Sequence, residues 1–410
     1  MSSNRALTVL MITSVLPRFE GDATPPFVLN QARSLVSLGH RVVVLAPHGE
    51  GAAFTEKVDG VEVRRFAYFF PLRMQKLCYE GGMLINLRKR PWTKFLLPFL
   101  FAFELLASVR QAFILRPDVI HSHSLLPQGI VSALVSKFLS IPHITTSHGN
   151  DVFGLKQTGL MGFLKSWTLR NVDAVTVNSE ATREAVMALA DVKSKLRLIH
   201  ASPNEKEAIG DVVRTIKSDI IGSKKPLVLF VGRLIEEKGV ADFLEAFALL
   251  KNRYPDAAAC IVGDGQDRGK FVDLAKNLRI FGSVHWTGWL KSEEVTSWMS
   301  AADVLIVPSR ESPGGWKEAQ GLVIVEAMLV GLPVVASRVG GIPDMIENGK
   351  TGWLVEHSSP TSIFESVTDV MENQDKVRGV MLSANERAEA KFSNRSVSNE
   401  LVRLYEEVAR

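Results

Sequence analysis

The stretch VLIVPSRESPGGWKEAQGLVIVEAMLVGLPVVA, residues 304–336, holds a full change of local structure. Val304–Val307 is a short apolar run of strand type, cut off by Pro308. A polar loop containing Gly314 and Gly315 runs on to Gly321. Leu322-Val323-Ile324-Val325-Glu326-Ala327-Met328 then reads as a buried helix, stopped by Gly331-Leu332-Pro333, and Val334–Ala336 is the next strand. Strand, loop, helix and strand in this order form the repeating unit of a parallel sheet wrapped by helices.

The same alternation extends in both directions. Upstream, Leu7–Ile12, Arg41–Ala46, Val119–Ile120, Ile144–Thr146 and Ala174–Val177 read as strands, with a helix from Val28 to Leu38 after the first. Ala201–Pro226 interrupts the pattern with polar residues, prolines and Gly222, and marks a domain boundary. The pattern restarts with Leu227–Val231, Ala259–Val262 and Ser283–His285. With 410 residues the chain accommodates two cores. The expected fold is therefore α/β, with two Rossmann-like doubly wound domains. The first domain covers 1–205 and the second covers 206–385. A helical segment, 386–410, crosses back, with an amphipathic helix near Val397–Val408.

Composition narrows the function. Forty-six per cent hydrophobic and 22% charged residues suit a soluble globular protein. A net charge of +4 is too small to imply nucleic-acid binding. Cys78 and Cys260 form no C-x-x-C pair, which speaks against a zinc knuckle or disulfide scaffold and for a reducing cytosol. The polar start, Met1–Ala6, and the short run after it lack the layout of a signal peptide. The stretch Arg88-Lys89-Arg90-Pro91-Trp92-Thr93-Lys94-Phe95-Leu96-Leu97 has two readings: a core helix with a charged start, or a contact with a membrane surface.

The chemistry concentrates around Gly321. A helix starting there aims unpaired backbone N–H groups and a partial positive charge at the space before it, which suits a diphosphate. Glu318 and Glu326 lie on either side of that start. Two acceptors flanking a phosphate site fit a ligand with hydroxyls at both ends, as in a nucleotide sugar. Gly232-Arg233-Leu234-Ile235-Glu236-Glu237-Lys238-Gly239 occupies the first strand-to-helix turn of the second half, where such sheets bind ligands. Arg233 and Lys238 there can neutralise a departing diphosphate. No Asp-x-Asp occurs, so these cations stand where a divalent metal otherwise would. His121 and His123 share one side of a strand, but no third ligand follows at useful spacing, so no metal is expected. Gly263-Asp264-Gly265 is a tight turn near the same edge. Trp286 and Trp289 read equally as core or as nucleobase contacts.

Pro308-Ser309, the segment Glu318–Met328, Gly331–Ala336, Gly232-Arg233-Leu234 with Lys238-Gly239, Gly263-Asp264-Gly265 and Gly340-Gly341-Ile342-Pro343-Asp344 together resemble the donor site of family 4 (group 1) retaining glycosyltransferases. The resemblance implies the GT-B fold, two domains facing across a cleft, and metal-independent transfer with retained anomeric configuration. No cofactor is implied beyond a UDP- or GDP-sugar donor. By position, Glu318 would contact the transferred sugar, Gly321, Leu322 and Val323 the phosphates, and Glu326 the ribose. Arg233 and Lys238 would stabilise the leaving group, and Gly263 would border the donor.

In the first half, Thr146–Asp151 resembles the family's His-Gly-x-Asp strand end. This places His148 near the reacting sugar and Asp151 on the acceptor side, with His123 at a neighbouring strand end. Gly21-Asp22-Ala23-Thr24 stands where the family has paired glycines, leaving Gly21 as the donor-side residue. Ser202-Pro203-Asn204-Glu205 replaces the usual Asn-Gly-Val-Asp, and Glu311–Lys317 is a long loop that shapes or covers the sugar pocket. The implied partners are a nucleotide-sugar donor and a glycan or lipid-linked acceptor, with no nucleic acid. The implied setting is cytoplasmic, with contact to the inner membrane surface left open. An epimerase or a nucleotide-sugar-binding module on the same fold are the alternatives.

Overall fold

The computed structural model describes residues 5–22, 24–154, 157–222 and 225–410. Ala23, part of Met1–Ala6, and Ser223-Lys224 of the boundary segment therefore lie outside the described residues. The chain divides into two units, one of 1–202 with 394–410 and one of 203–393.

The first unit is built on Thr8–Thr13 (β1), Arg41–Pro47 (β2), Thr55–Val58 (β3), Val61–Phe66 (β4), Val119–His123 (β5), His143–Ser147 (β6), Ala174–Val177 (β7) and Leu196–Leu198 (β8). Their order is β3-β4-β2-β1-β5-β6-β7-β8, parallel throughout except for the antiparallel β3–β4 edge. Alternate residues of β1 enter different cores. Val9 and Met11 pack on one face, Leu10 and Ile12 on the other. A strand buried on both faces needs an unbroken apolar run, which is why β1 reads as one.

The second unit contains Leu227–Val231 (β9), Ala258–Val262 (β10), Val284–Gly288 (β11), Val304–Val307 (β12), Val334–Ser337 (β13) and Trp353–Val355 (β14). They lie in the order β11-β10-β9-β12-β13-β14, all parallel. Here too Val228 and Phe230 face one core, Leu227 and Leu229 the other. Both units are thus parallel sheets covered on two faces, and the strand order reverses direction at β9 and β12, where ligands bind in such sheets.

The boundaries shift from their expected places. The first falls at 202/203 rather than 205/206. The second falls at 393/394 rather than 385/386, because Gln374–Lys391 is one continuous helix whose Ala384 and Ala388 pack into the second unit's core. The helix that returns is Asn394–Val408, and its Val397, Leu401, Leu404 and Tyr405 join the core of the first unit. Its anchor is polar as well as apolar: the buried Tyr405 hydroxyl meets His121 Nδ1 at 2.7 Å. Tyr405→Phe leaves that ring nitrogen without its partner and is expected to destabilise the first unit by about 1–3 kcal/mol. Thermal unfolding followed with the His121→Phe single and double variants checks this, since the two losses should not add.

Candidate active site

Two loops meet at the ends of β9 and β12. After β12, Pro308 and Ser309 lead into the long loop, and Gly321 in the left-handed conformation (φ 78°) opens the helix Leu322–Leu329. A residue with a Cβ is strained at that φ, so glycine sets the helix start. The first amides of a helix have no partner within it. Ile324 N–H turns back to Gly321 O at 2.9 Å, leaving the Leu322 and Val323 amides as the helix's outward pair.

Glu318 is held just before this start. Its carboxylate is almost fully buried, is ion-paired with Lys238 and accepts a hydrogen bond from Ser309 Oγ at 3.0 Å. Burial pushes its pKa up, but the Lys238 charge and hydrogen bond, Ser309 and the more distant Arg233 outweigh burial and bring it below the ordinary value. Glu318 is therefore ionised at neutral pH. Its backbone is clasped from behind, where Gly341 N–H donates to Glu318 O at 2.9 Å.

Lys238 arrives on the turn after β9. Gly239 (φ 70°) packs so close to β12 that a Cβ there would lie 1.7 Å from Pro308 O. That approach is what brings the Lys238 ammonium to Glu318. The Trp316 ring lies 5.8 Å from the same ammonium, at the outer limit of a cation–π contact. Arg310, on the β12 loop, is paired with the buried Asp242, and its N–H donates to Glu237 O at 2.8 Å, which ties the two loops together. Arg233 is half-buried on the same turn and has no hydrogen bond or ion pair among the described residues. Gly263 stacks its backbone on Gly232: a Cβ at 263 would sit 2.0 Å from Gly232 O.

Glu326 sits a turn into the helix, half-buried, and accepts a hydrogen bond from the Asn204 backbone N–H at 3.0 Å. A groove of about 320 Å³ opens beside it, lined by Asn204, Lys206, Thr296, Ser300, Glu326 and Leu329. Burial raises the Glu326 pKa to about 7, against the lowering effect of the Asn204 amide.

In the first unit, β5 and β6 carry a histidine cluster. His123 Nδ1 lies 3.0 Å from His148 Nε2, the rings nearly parallel at 8°. Burial lowers the His148 pKa to about 4, and burial helped by the neighbouring imidazoles lowers that of His123 well below its ordinary value. Both rings are neutral at pH 7, so one of the pair donates to the other. His121 bridges Tyr405 and Thr146 Oγ1, the latter at 2.6 Å. Asp151 is buried, accepting from Ser147 Oγ and the Leu125 amide, both at 2.8 Å. Burial raises its pKa despite these bonds and the nearby Lys165 charge. The structure thus places Asp151 beneath the β6 end, where it fixes the loop that follows β5. Gly21 (φ 83°) is on an exposed turn whose Asp22 is paired with Arg18 at 2.9 Å.

Two family models match the chain: Glycosyl transferases group 1 over residues 213–388 and Glycosyltransferase Family 4 over residues 26–202. The chain belongs to the group 1 glycosyltransferases of GT-B fold. The transferase is 27% identical over 299 residues to N-acetyl-alpha-D-glucosaminyl L-malate synthase of Bacillus anthracis, covering 72% of this chain and 75% of that one. It is 25% identical over 308 residues to glycogen synthase of Mycobacterium tuberculosis, covering 71% and 69%. Its fold is similar to that of sucrose-phosphate synthase from Thermosynechococcus elongatus, at TM-score 0.76, 20% identity and 98% of each chain. HepE of Anabaena, solved with UDP and glucose, follows at TM-score 0.73, 18% identity, and 98% of this chain against 100% of its own.

Within the transferase's second unit, Glu318, Lys238, Gly321, Leu322 and Val323 gather where the strand ends and the helix starts, with Arg233 close enough for Glu318 to feel its charge. Within the first unit, His123 and His148 touch, and Asp151 instead bonds the Ser147 hydroxyl and the Leu125 amide. Asp242, Arg310 and Asn204 were given no expected role in the site, and Ser309 stood in the donor-site resemblance without one. Ser309 directly follows the recognised proline and was within reach of sequence reasoning. The Asp242–Arg310 brace and the Asn204 amide join positions far apart in the chain, and no local pattern announces them.

Proposed function

We propose that this glycosyltransferase moves a hexose-type sugar from a UDP- or GDP-sugar to a hydroxyl of a glycan or lipid-linked acceptor, with retention and without a metal ion. Such a reaction serves polysaccharide or glycolipid assembly on the cytoplasmic side of the cell. The carrying observation is the buried Glu318–Lys238 pair at the mouth of a helix opened by a left-handed glycine. The Leu322 and Val323 amides, Lys238 and Arg233 supply positive charge where a diphosphate develops negative charge. Glu318 receives hydroxyls of the transferred sugar, and Glu326, beside its groove, receives the ribose hydroxyls. Gly263 and Gly21 let backbone approach the donor. His148 and His123 serve the reacting sugar and acceptor side as neutral imidazoles, with Asp151 holding their loop. A phosphate oxygen of the donor takes the acceptor's proton, so no protein nucleophile is required. A bound UDP in a protein of the same fold supports a nucleotide-sugar donor.

The test is transfer from a panel of UDP- and GDP-hexoses, with the anomeric configuration of the product read by NMR and the rate measured with and without chelator. Retention and an unchanged rate in chelator are expected. An inverted product contradicts the mechanism. Altered sugar released without acceptor makes the protein an epimerase, and binding without turnover makes it a binding module.

The Glu326 assignment has its own pH signature. An ionised carboxylate accepts hydroxyl donors better than the acid does. With its pKa at about 7, nucleotide affinity should rise about three- to tenfold from about pH 6 to about pH 8. The same raised pKa has the opposite effect on the empty protein, whose stability falls as pH climbs from the ordinary 4.5 through about 7. Calorimetric titration with nucleoside diphosphate checks the first, and thermal melts of the empty protein across the same pH range check the second. Glu326→Gln should bind more weakly and with a flatter profile.

A further inference from the structure

The helix Leu97–Leu115 is built inside out. Its buried stripe carries Leu100, Glu104, Ser108, Gln111 and Ala112, and packs onto β1, β2 and β4. Its solvent stripe carries Phe103, Leu106 and Phe113, which are 45%, 64% and 69% exposed. The inward polar residues are kept partly satisfied: Gln128 Nε2 donates to Glu104 at 3.3 Å, and Gln111 accepts from Arg64 at 2.6 Å. A surface helix of a water-soluble protein has the reverse arrangement.

The same character spreads to two neighbouring helices. Ile130–Leu139 packs against the first and exposes Phe138 at 75%. Gly159–Arg170 packs against the second and exposes Leu160 and Phe163. Six large apolar side chains on three adjoining helices far exceed the scattered exposure normal for a surface.

Charge identifies the occupant. Between residues 86 and 116 the only acid is Glu104, which is 1% exposed, and residues 125–140 and 157–172 contain none. The charges shown outward are therefore cationic: Lys94, Arg110 and Arg116 on the first helix and its flanks, and Lys137 on the second. Arg88 and Lys89 precede them, and Arg90 is shared with Glu80 at 3.1 Å. A second copy of the chain would set cation against cation across a twofold axis. An anionic lipid surface meets both demands, taking the aromatic and aliphatic side chains at the level of the acyl chains and the Lys/Arg groups at the phosphates.

We infer that this three-helix face of the first unit docks on anionic membrane. Within the 25-residue helical stretch Pro91–Leu115 an 18-residue window has a mean hydropathy of 1.5, enough to cross a bilayer by length and composition. Its polar stripe is committed to the sheet, so it lies along the surface. This goes beyond the donor reading and does not depend on it, since donor affinity is measured in solution without lipid.

The test is co-sedimentation of the full chain with vesicles of phosphatidylcholine alone or mixed with phosphatidylglycerol. Binding to the mixed vesicles should be at least about tenfold stronger and should weaken with salt. Phe103→Ser, Leu106→Ser and Phe113→Ser combined should lower it by roughly tenfold or more, while nucleotide binding stays unchanged. Lys94→Glu with Arg110→Glu should remove the preference for phosphatidylglycerol. A protein that ignores both vesicles, or a triple variant that binds like the parent, overturns the inference. So does a solution dimer dissolved by the same three substitutions, which would assign the face to a second copy.

Discussion

Lys238→Ala is expected to lower turnover by about a hundred- to a thousandfold, the loss typical when a preorganised group facing developing negative charge is removed. Lys238 has two jobs in the structure. Under the proposed reaction it faces the departing diphosphate, and it neutralises the nearly buried Glu318 carboxylate. Alanine removes the cation and leaves Glu318 with the Ser309 hydrogen bond and the more distant Arg233 charge. Burial, the largest influence on Glu318, then acts with less opposition, and its pKa rises. In the parent protein the lowered Glu318 pKa contributes stability above the ordinary 4.5, lost as pH falls through the folded value. In the variant that contribution shrinks or reverses, so the second unit melts earlier at neutral pH. Activity and stability separate in the double variant Lys238→Ala/Glu318→Gln. Removing both charges relieves the uncompensated carboxylate, so stability returns in part while turnover does not. Initial rates of sugar transfer and thermal melts on the two single variants and the double variant measure this. A Lys238→Ala enzyme keeping more than about a tenth of parental turnover would show that the cation is not aimed at the leaving group.

The part of the fold legible in the sequence is the part made by local chemistry. Val304–Val307 and Ala174–Val177 match their strands residue for residue, because an apolar run cut by Pro308 or by a polar turn leaves one solution. Four strands went unread. Thr55–Val58 alternates exposed and half-buried residues at a sheet edge, and Leu196–Leu198 and Trp353–Val355 span three residues each, too short to show a period. Val61–Phe66 is interrupted by Glu62, Arg64 and Arg65, whose side chains are paid for by pairing with Arg41, Gln111 and Glu56. The site shows the same division. Glycine and charge spacing pointed to Glu318 and Lys238, but the contact between them depends on Gly239 meeting Pro308, a tertiary fact. The inside-out helix at 97–115 was unreadable for a different reason. Its hydropathy is high on average, and only the sheet beneath it reveals that the polar residues point inward. The basic–apolar stretch 88–97 had been open between core and surface. The structure divides it, with Thr93 and Leu96 buried and Trp92, Lys94 and Phe95 exposed.

Gly340→Ala should separate the shape of the donor site from its charge. Gly340 has φ 57°, and a Cβ built on it would lie 2.0 Å from Glu318 O, a backbone atom that cannot swing aside. Gly349 has φ 74° but nothing within 4 Å of its Cβ position. Alanine at 349 therefore meets only the left-handed strain, about 1–2 kcal/mol. Alanine at 340 meets that strain and must also displace the Glu318 backbone, for a total of about 3 kcal/mol or more. For a unit of this size each kcal/mol moves the melting temperature by about 2–4 °C, so the two variants should differ plainly in a thermal melt. The functional difference should be larger. Gly341, next in the chain, donates to the same Glu318 carbonyl at 2.9 Å, so displacing that carbonyl moves the carboxylate off Lys238 and disturbs the loop leading to Gly321. Donor KM should rise by about tenfold or more in Gly340→Ala, since a shift of about an ångström in a positioning group can cost that much or more. Gly349→Ala should keep the parental value. Equal melts and equal donor KM in the two variants would mean that the clasp on Glu318 yields freely, and that the carboxylate is positioned by Lys238 and Ser309 alone.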